Sequence, residues 1–107
     1  MIKTIYSIVC KDESVKDCYV GQTKDFKDRR WHHIGNSKNP KSKKYNFKVY
    51  QYIRHYGGFE NWEMIALETF ECDNEDEARD KEFEYYEKLN ASLNSVPPKK
   101  NKIFSIK

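Results

Sequence analysis

At 107 residues the chain has the length of one small domain, and its 20 Lys and Arg against 17 Asp and Glu give a formal charge of only +3. Eight Tyr, six Phe and two Trp supply enough apolar surface for a core, which excludes a disordered chain, and four Gly exclude a collagen-like one. No apolar run is long enough to predict a membrane-spanning helix.

The number and spacing of the cysteines indicate the kind of cellular compartment in which the protein is found. Cys10, Cys18 and Cys72 are odd in number and far apart, so they predict neither a disulfide framework nor a zinc-binding CxxC pair. The first residues also lack the basic and apolar regions of a secretory leader. We therefore expect a protein that is intracellular, in the cytoplasm or nucleus of the host cell, and not secreted.

Runs of β-branched and aromatic residues predict three strands, at about residues 3–10, 18–23 and 61–70. The polar residues between the first two runs predict a hairpin loop. In the third run, the two-residue period places Trp62, Met64 and Ala66 on one face.

Two helices are predicted between the second and third strands. Asp25 caps the first, which we expect to end near Ile34, just before Gly35. Apolar residues at helical spacing predict the second, which stops at the Gly57–Gly58 pair.

A last helix follows the third strand. Asn74 and Glu77 have the spacing of a capping box, which predicts a helix from there to about Leu89. The order β-β-α-α-β-α predicts the α/β class, with a small three-stranded antiparallel or mixed sheet flanked by helices.

Charge is divided unevenly along the chain. Residues 1–57 hold 13 Lys and Arg against 5 Asp and Glu, whereas residues 58–94 hold 3 against 12. Such a division can place a cationic face beside carboxylates, although charge alone favours two ordinary solvated surfaces. The Pro97–Pro98 pair and four lysines in residues 95–107 predict a basic tail or linker after a domain of residues 1–94.

Three polar residues stand out on the predicted helices. Arg29 and His33 are four residues apart and share a face, an arrangement that suits a phosphate because Arg binds its oxygens bidentately and His can shuttle a proton. A basic surface helix explains the same pair. Glu82 lies in line with an apolar stripe, where its carboxylate needs a cation, a metal or hydrogen-bond donors unless its head reaches water.

Two tripeptides, Thr4-Ile5-Tyr6 and Tyr19-Val20-Gly21, resemble the paired tripeptides of the GIY-YIG nuclease family. Thr4 stands where that family has its first glycine, and Val20 replaces the usual isoleucine. The resemblance spans about residues 3–94 and continues, in order, through Gln22-Thr23-Lys24-Asp25-Phe26, Arg29, His33, Glu82, Tyr85-Tyr86 and Leu93-Asn94. The basic loop and second helix resemble the small stand-alone members of large DNA viruses, phages and mobile elements.

The resemblance implies an endonuclease that hydrolyses phosphodiester bonds in nucleic acid, DNA above all, with a single divalent ion, Mg²⁺ or Mn²⁺. It implies Tyr6 as general base, Tyr19 as the residue that positions water or phosphate, Arg29 as phosphate stabiliser and His33 as an assisting group. It implies Glu82 as the metal ligand. Gly21, Lys24 and Asn94 are expected at the substrate. Oligomeric state is not predicted.

Two other functions remain open from the residues. A catalytically inactive nucleic-acid-binding module would use the basic half for phosphates and exposed tyrosines for stacking. A protein-interaction domain would use the acidic last helix as its contact surface. Neither requires Tyr6, Tyr19, Arg29, His33 and Glu82 together, so the full set favours the nuclease.

Overall fold

The computed structural model describes residues 1–95, so the predicted basic tail lies outside the described residues from position 96 onward. The elements, in chain order, are β1 (Ile2–Cys10), β2 (Cys18–Thr23), α1 (Phe26–Lys38), α2 (Lys48–His55), a 3₁₀ turn (Phe59–Asn61), β3 (Trp62–Glu71) and α3 (Glu75–Leu89). The three strands form an antiparallel sheet in the order β2-β1-β3. The α/β class and the order β-β-α-α-β-α predicted from the sequence are therefore confirmed.

The central strand β1 sets the register of the sheet. Tyr6 lies opposite Gly21 of β2 and opposite Ala66 of β3. A bulge follows Ile5, because Ile5 pairs with Glu68 while the next residue pairs with Ala66, which leaves Leu67 unpaired.

Apolar residues cover both faces of the sheet, as the two-residue period of β1 requires. The Tyr6 face forms the larger cluster with α2 and the 3₁₀ turn, through Ile8, Val49, Tyr50, Ile53, Phe59, Trp62 and Leu93. The Ile5 face forms the smaller cluster with Cys18, Val20 and Ala91, against which Tyr85 and Tyr86 of α3 pack. The sheet thus separates α2 from α3.

Helix α1 is one turn longer than the sequence predicts. It continues through Gly35 to Lys38, and the Asn39 N–H donates to the Gly35 carbonyl at 2.9 Å. The added turn buries Ser37, whose carbonyl accepts a hydrogen bond from Arg54 Nη1 at 2.9 Å. The predicted end near Ile34 was therefore wrong, because tertiary packing outweighs the weak helix-breaking effect of one glycine.

The cap and the end of α3 follow the sequence. The Asn74 side chain accepts the Glu77 N–H at 3.0 Å, and Asn90 ends the helix with a left-handed φ of 51°. The chain then returns along the free edge of β2, where the Leu93 N–H donates to the Cys18 carbonyl at 3.0 Å. None of the helices within residues 1–95 is long and apolar enough to cross a membrane.

Candidate active site

A cleft of about 690 Å³ opens beside α1. Five of the residues predicted for the site line this one cleft: Tyr19, Arg29, His33, Glu82 and Asn94. The cleft also contains cationic and polar residues from α1, α2 and the loop between them, namely His32, Asn36, Ser42, Lys43, Lys44 and Tyr50. The fold therefore brings together residues that are separated by up to seventy-five positions in the sequence.

Tyr6 lies behind the cleft wall and is only 1% exposed. Its hydroxyl oxygen is 2.7 Å from His33 Nε2. Burial, together with the neighbouring Tyr19, raises the pKa of Tyr6 well above its usual value, while the positive charge of Arg29 acts in the opposite direction. The free protein therefore holds Tyr6 as a neutral phenol.

Tyr19 is the motif tyrosine that reaches the cleft. Its ring centroid lies 6.2 Å from that of Tyr6 and 5.5 Å from that of His33. Burial raises the pKa of Tyr19 to about 12, with the neighbouring Tyr50 and Glu82 acting in the same direction and the positive charge of Arg29 in the opposite direction. The two tyrosines therefore form a coupled pair, with one member facing the cleft.

His33 is 4% exposed and bridges two tyrosines. Its Nε2 lies 2.7 Å from the Tyr6 hydroxyl, and its Nδ1 lies 2.8 Å from the Tyr50 hydroxyl. Burial lowers the pKa of His33 to about 4, with the positive charges of Arg29 and Lys44 contributing in the same direction. His33 is therefore a neutral imidazole at neutral pH.

Arg29 is exposed and borders two clefts. It lines the main cleft and also a second cleft of about 450 Å³, where Lys3, Gln22 and Lys24 lie. The neighbouring Arg30 points elsewhere, since its guanidinium carbon lies 5.5 Å from the centre of the Phe59 ring. Of these two arginines, only Arg29 is placed to meet a phosphate in the cleft.

The sequence profile of the GIY-YIG catalytic domain matches residues 2–94, nearly the whole chain. The chain belongs to the GIY-YIG family. No curated protein and no solved structure matches it significantly. A GIY-YIG domain has a nuclease-type fold and implies a nucleic acid substrate.

The GIY-YIG fold accommodates its departure at Thr4. The Thr4 hydroxyl lies 3.0 Å from the hydroxyl of Thr69 across the β1–β3 pair, on an exposed part of the sheet. The side chain thus gains a partner on the neighbouring strand. Tyr6 keeps its place two residues further along.

Glu82 reaches the cleft from α3 and fits a hydrated cation. Gln22 Nε2 donates to Glu82 Oε1 at 3.2 Å. Burial raises the pKa of Glu82 above its usual value, with the Gln22 hydrogen bond and the charge of Lys3 acting in the opposite direction. Gln22 Oε1 is buried and has no hydrogen-bond partner within residues 1–95.

A divalent ion held at Glu82 would have to keep most of its waters. Among the described residues, no group of three or more His, Cys, Asp or Glu side chains is placed to hold a metal. A single carboxylate suits Mg²⁺, which dehydrates reluctantly and is bound through one or two carboxylates plus substrate phosphates.

Gly21 and Asn94 have clear structural roles in the GIY-YIG domain. Gly21 leaves room for the Tyr6 ring. Asn94 closes the free edge of β2, because its Oδ1 accepts the Val20 N–H at 3.0 Å and its Nδ2 donates to the Val20 carbonyl at 2.9 Å. Contacts of Gly21, Lys24 and Asn94 with substrate stay predictions.

Sequence reasoning missed three side chains at the site. Gln22 follows the second tripeptide directly, and Asn36 lies three residues after His33 on the same face of α1, so spacing could have indicated both. Tyr50 shows no such signal. It follows the apolar spacing of α2 and is predicted from the sequence only as a core residue.

Proposed function

We propose that this chain is a metal-dependent endonuclease that hydrolyses phosphodiester bonds, in DNA above all, with a single Mg²⁺ or Mn²⁺. One observation carries the proposal: Arg29, Glu82 and Tyr19 line the same cleft. They supply a cation for the phosphate, a ligand for the metal and a hydroxyl for the water.

The cleft contains cations that a nucleic acid backbone could meet. Arg29, Lys43 and Lys44 line it together with the carboxylates of Asp28 and Glu82, and such cations supply most of the affinity of sequence-independent binding. A phosphate beside Arg29 would have its non-bridging oxygens neutralised by a guanidinium that needs no reorganisation during the reaction.

Glu82 would hold the divalent ion. When bound there with its waters, the ion would neutralise the phosphate oxygens and stabilise the leaving 3′ oxygen. Gln22 would orient Glu82 through its hydrogen bond. The raised pKa of Glu82 also indicates a carboxylate whose burial is incompletely compensated before a cation arrives.

The tyrosine pair would act as general base, with Tyr6 in the role that the family resemblance implies. As the water oxygen forms its bond to phosphorus, the bond from phosphorus to the 3′ oxygen would break, and the water's proton would pass to the ionised pair, of which Tyr19 lines the cleft. The leaving 3′ oxygen would then take a proton from solvent. Neither tyrosine loses a proton readily alone, since burial raises both pKa values. Arg29 and the divalent cation would lower them when substrate is bound.

Cleavage of supercoiled plasmid tests this function. We expect nicking with Mg²⁺ or Mn²⁺, none in EDTA, and none from Glu82→Ala with either metal. A labelled single-stranded RNA in parallel separates a deoxyribonuclease from a ribonuclease. Tight binding without nicking under all these conditions would support the alternative of a catalytically inactive nucleic-acid-binding module, which the lysines of the cleft also fit. The intracellular location stays a prediction.

A further inference from the structure

His33 has a second hydrogen-bond partner for which the proposed reaction gives no role. Its Nδ1 lies 2.8 Å from the hydroxyl of Tyr50 on α2, and that hydroxyl also lies 3.4 Å from Asn36 Nδ2. These groups form a continuous chain from the loop after α1 to Tyr6. Donors and acceptors match along the whole chain in the following arrangement of hydrogen bonds.

The chain of hydrogen bonds begins at Ser42 in the loop after α1. Ser42 Oγ accepts the Lys44 N–H at 3.1 Å, so its own hydrogen is free to donate to Asn36 Oδ1 at 2.7 Å. This bond fixes the orientation of the Asn36 amide, because only the carbonyl oxygen can accept it. Asn36 therefore presents its Nδ2 hydrogens to Tyr50.

The next two hydrogen bonds in the chain involve the two ring nitrogens of His33. The Tyr50 hydroxyl satisfies both neighbours when its oxygen accepts from Asn36 and its own hydrogen donates to the other group at hydrogen-bonding distance, His33 Nδ1. A neutral imidazole has one donor and one acceptor nitrogen. Its Nε2 therefore carries the hydrogen and donates to the Tyr6 oxygen, 2.7 Å away.

We infer that Asn36 and Tyr50 are positioning residues that hold neutral His33 as the Nε2–H tautomer, so that His33 donates a hydrogen bond to Tyr6. The catalytic consequence rests on the proposed nuclease function. A donor aimed at the Tyr6 oxygen stabilises the negative charge that the tyrosine pair must bear before it can take the proton from water, and so lowers the pKa of the pair. Neither positioning residue exchanges a proton with the water.

The tautomer can be observed directly by ¹H–¹⁵N NMR of the His33 ring in the metal-free protein near pH 8. We expect the Nε2–H pattern in the parent. Asn36→Asp is the decisive variant, since its carboxylate can only accept. The Tyr50 hydrogen then turns to the aspartate, the Tyr50 oxygen accepts from His33 Nδ1, and the ring adopts the Nδ1–H form.

Tyr50→Phe provides a second variant that removes the donor to Nδ1. We expect the single Nε2–H pattern to be replaced by a mixture of both tautomers. Tyr52→Phe is the matched control on the same helix, because Tyr52 does not line the cleft and packs against Tyr56. We expect its His33 signals to match those of the parent. Amide spectra of all variants report whether the fold is kept.

The nicking kinetics provide a second measurement, independent of the NMR spectra. With plasmid and Mg²⁺, Tyr50→Phe is expected to lower kcat about tenfold with KM unchanged, the effect of one lost hydrogen bond. An Nδ1–H parent, or an Asn36→Asp variant that keeps the Nε2–H form, would overturn the inference. The NMR result stands whether or not the parent cleaves, so a failure of the nuclease proposal and a failure of this inference are distinguishable.

Discussion

The Tyr6 ring lies against the α-carbon of Gly21, its partner across the β1–β2 pair. A Cβ at position 21 would come within 2.5 Å of the Tyr6 hydroxyl oxygen and within 2.6 Å of Cζ. The glycine of the second tripeptide therefore makes the space that the tyrosine of the first one fills. This close approach sets the Tyr6 hydroxyl at His33.

Gly21→Ala is expected to lower the free energy of unfolding by about 1–3 kcal/mol, because the added methyl group overpacks the site. It should also slow plasmid nicking, since Tyr6 must move away from His33. Urea denaturation and the nicking rate measure the two effects. Gly35→Ala is the control: within residues 1–95, no atom beyond its chain neighbours and its own helix backbone lies within 4 Å of the added Cβ, and the change is expected to leave the fold unchanged or stabilise it by up to about 1 kcal/mol. A Gly21→Ala protein as stable and active as the parent would contradict the packing described here.

Glu82→Gln keeps the size of the side chain but removes the charge that would hold the divalent ion. We expect the nicking rate to fall about 10²–10³-fold at every Mg²⁺ concentration, as for other groups that stabilise charge in a transition state. Glu84→Gln is the control, because Glu84 is exposed on the same helix. Equal loss of activity in both variants would indicate a general effect of acidic charge on α3 and count against a metal site at Glu82.

The metal requirement should also depend on pH. Burial raises the pKa of Glu82, so a larger fraction of this carboxyl is protonated as the pH falls below neutral. Protons and the divalent ion then compete for the same oxygens. Titrations of nicking against Mg²⁺ at several pH values should show the half-saturating concentration rising as the pH falls. A half-saturating Mg²⁺ concentration that does not change with pH would argue that Glu82 is not the metal ligand.

His33 makes stability depend on pH in a defined direction. Its pKa is lowered from 6.5 to about 4, so in this window the unfolded chain binds a proton that the folded protein does not. The stability that the neutral imidazole contributes is fully present above the His33 pKa of the unfolded chain. It is lost as the pH falls towards the His33 pKa of the folded protein, by about 3 kcal/mol in all. Urea denaturation between pH 7 and pH 4 should show this loss in the parent. His33→Gln should reduce the slope, and parallel curves for the two proteins would contradict a buried neutral imidazole.

The sequence predicted the strands and the last two helices closely, because each rests on a local signal. Gly57 and Gly58 stop α2 with φ values of 99° and 81°, and Asn74 caps α3 as expected. The end of α1 was missed because it depends on the burial of Ser37, a contact that no local pattern encodes.

Some features of the candidate site could likewise be predicted from the sequence, and others could not. Arg29 and Glu82 were predicted because motif order and helical spacing mark them, and both line the cleft. The place of Tyr6 behind the cleft wall was not predictable, since it follows from its close approach to Gly21 across the sheet. The hydrogen bond between Tyr50 and His33 joins two helices through side chains, so sequence spacing gives no sign of it.

The comparison of Arg29→Ala with Arg30→Ala tests most directly whether the cleft is the catalytic centre. The two residues are adjacent on one helix, but only Arg29 lines the cleft, while Arg30 packs over Phe59. We expect Arg29→Ala to lower the nicking rate about 10²–10³-fold, because it removes the guanidinium at the phosphate. Its binding should weaken only modestly, because Lys43 and Lys44 remain in the cleft.

Nicking rate and DNA affinity are measured for both variants at one salt concentration with Mg²⁺ present. We expect an inactive Arg29→Ala protein that still binds DNA and an Arg30→Ala protein that cleaves like the parent. Parent-like cleavage by Arg29→Ala, or loss of cleavage confined to Arg30→Ala, would contradict it.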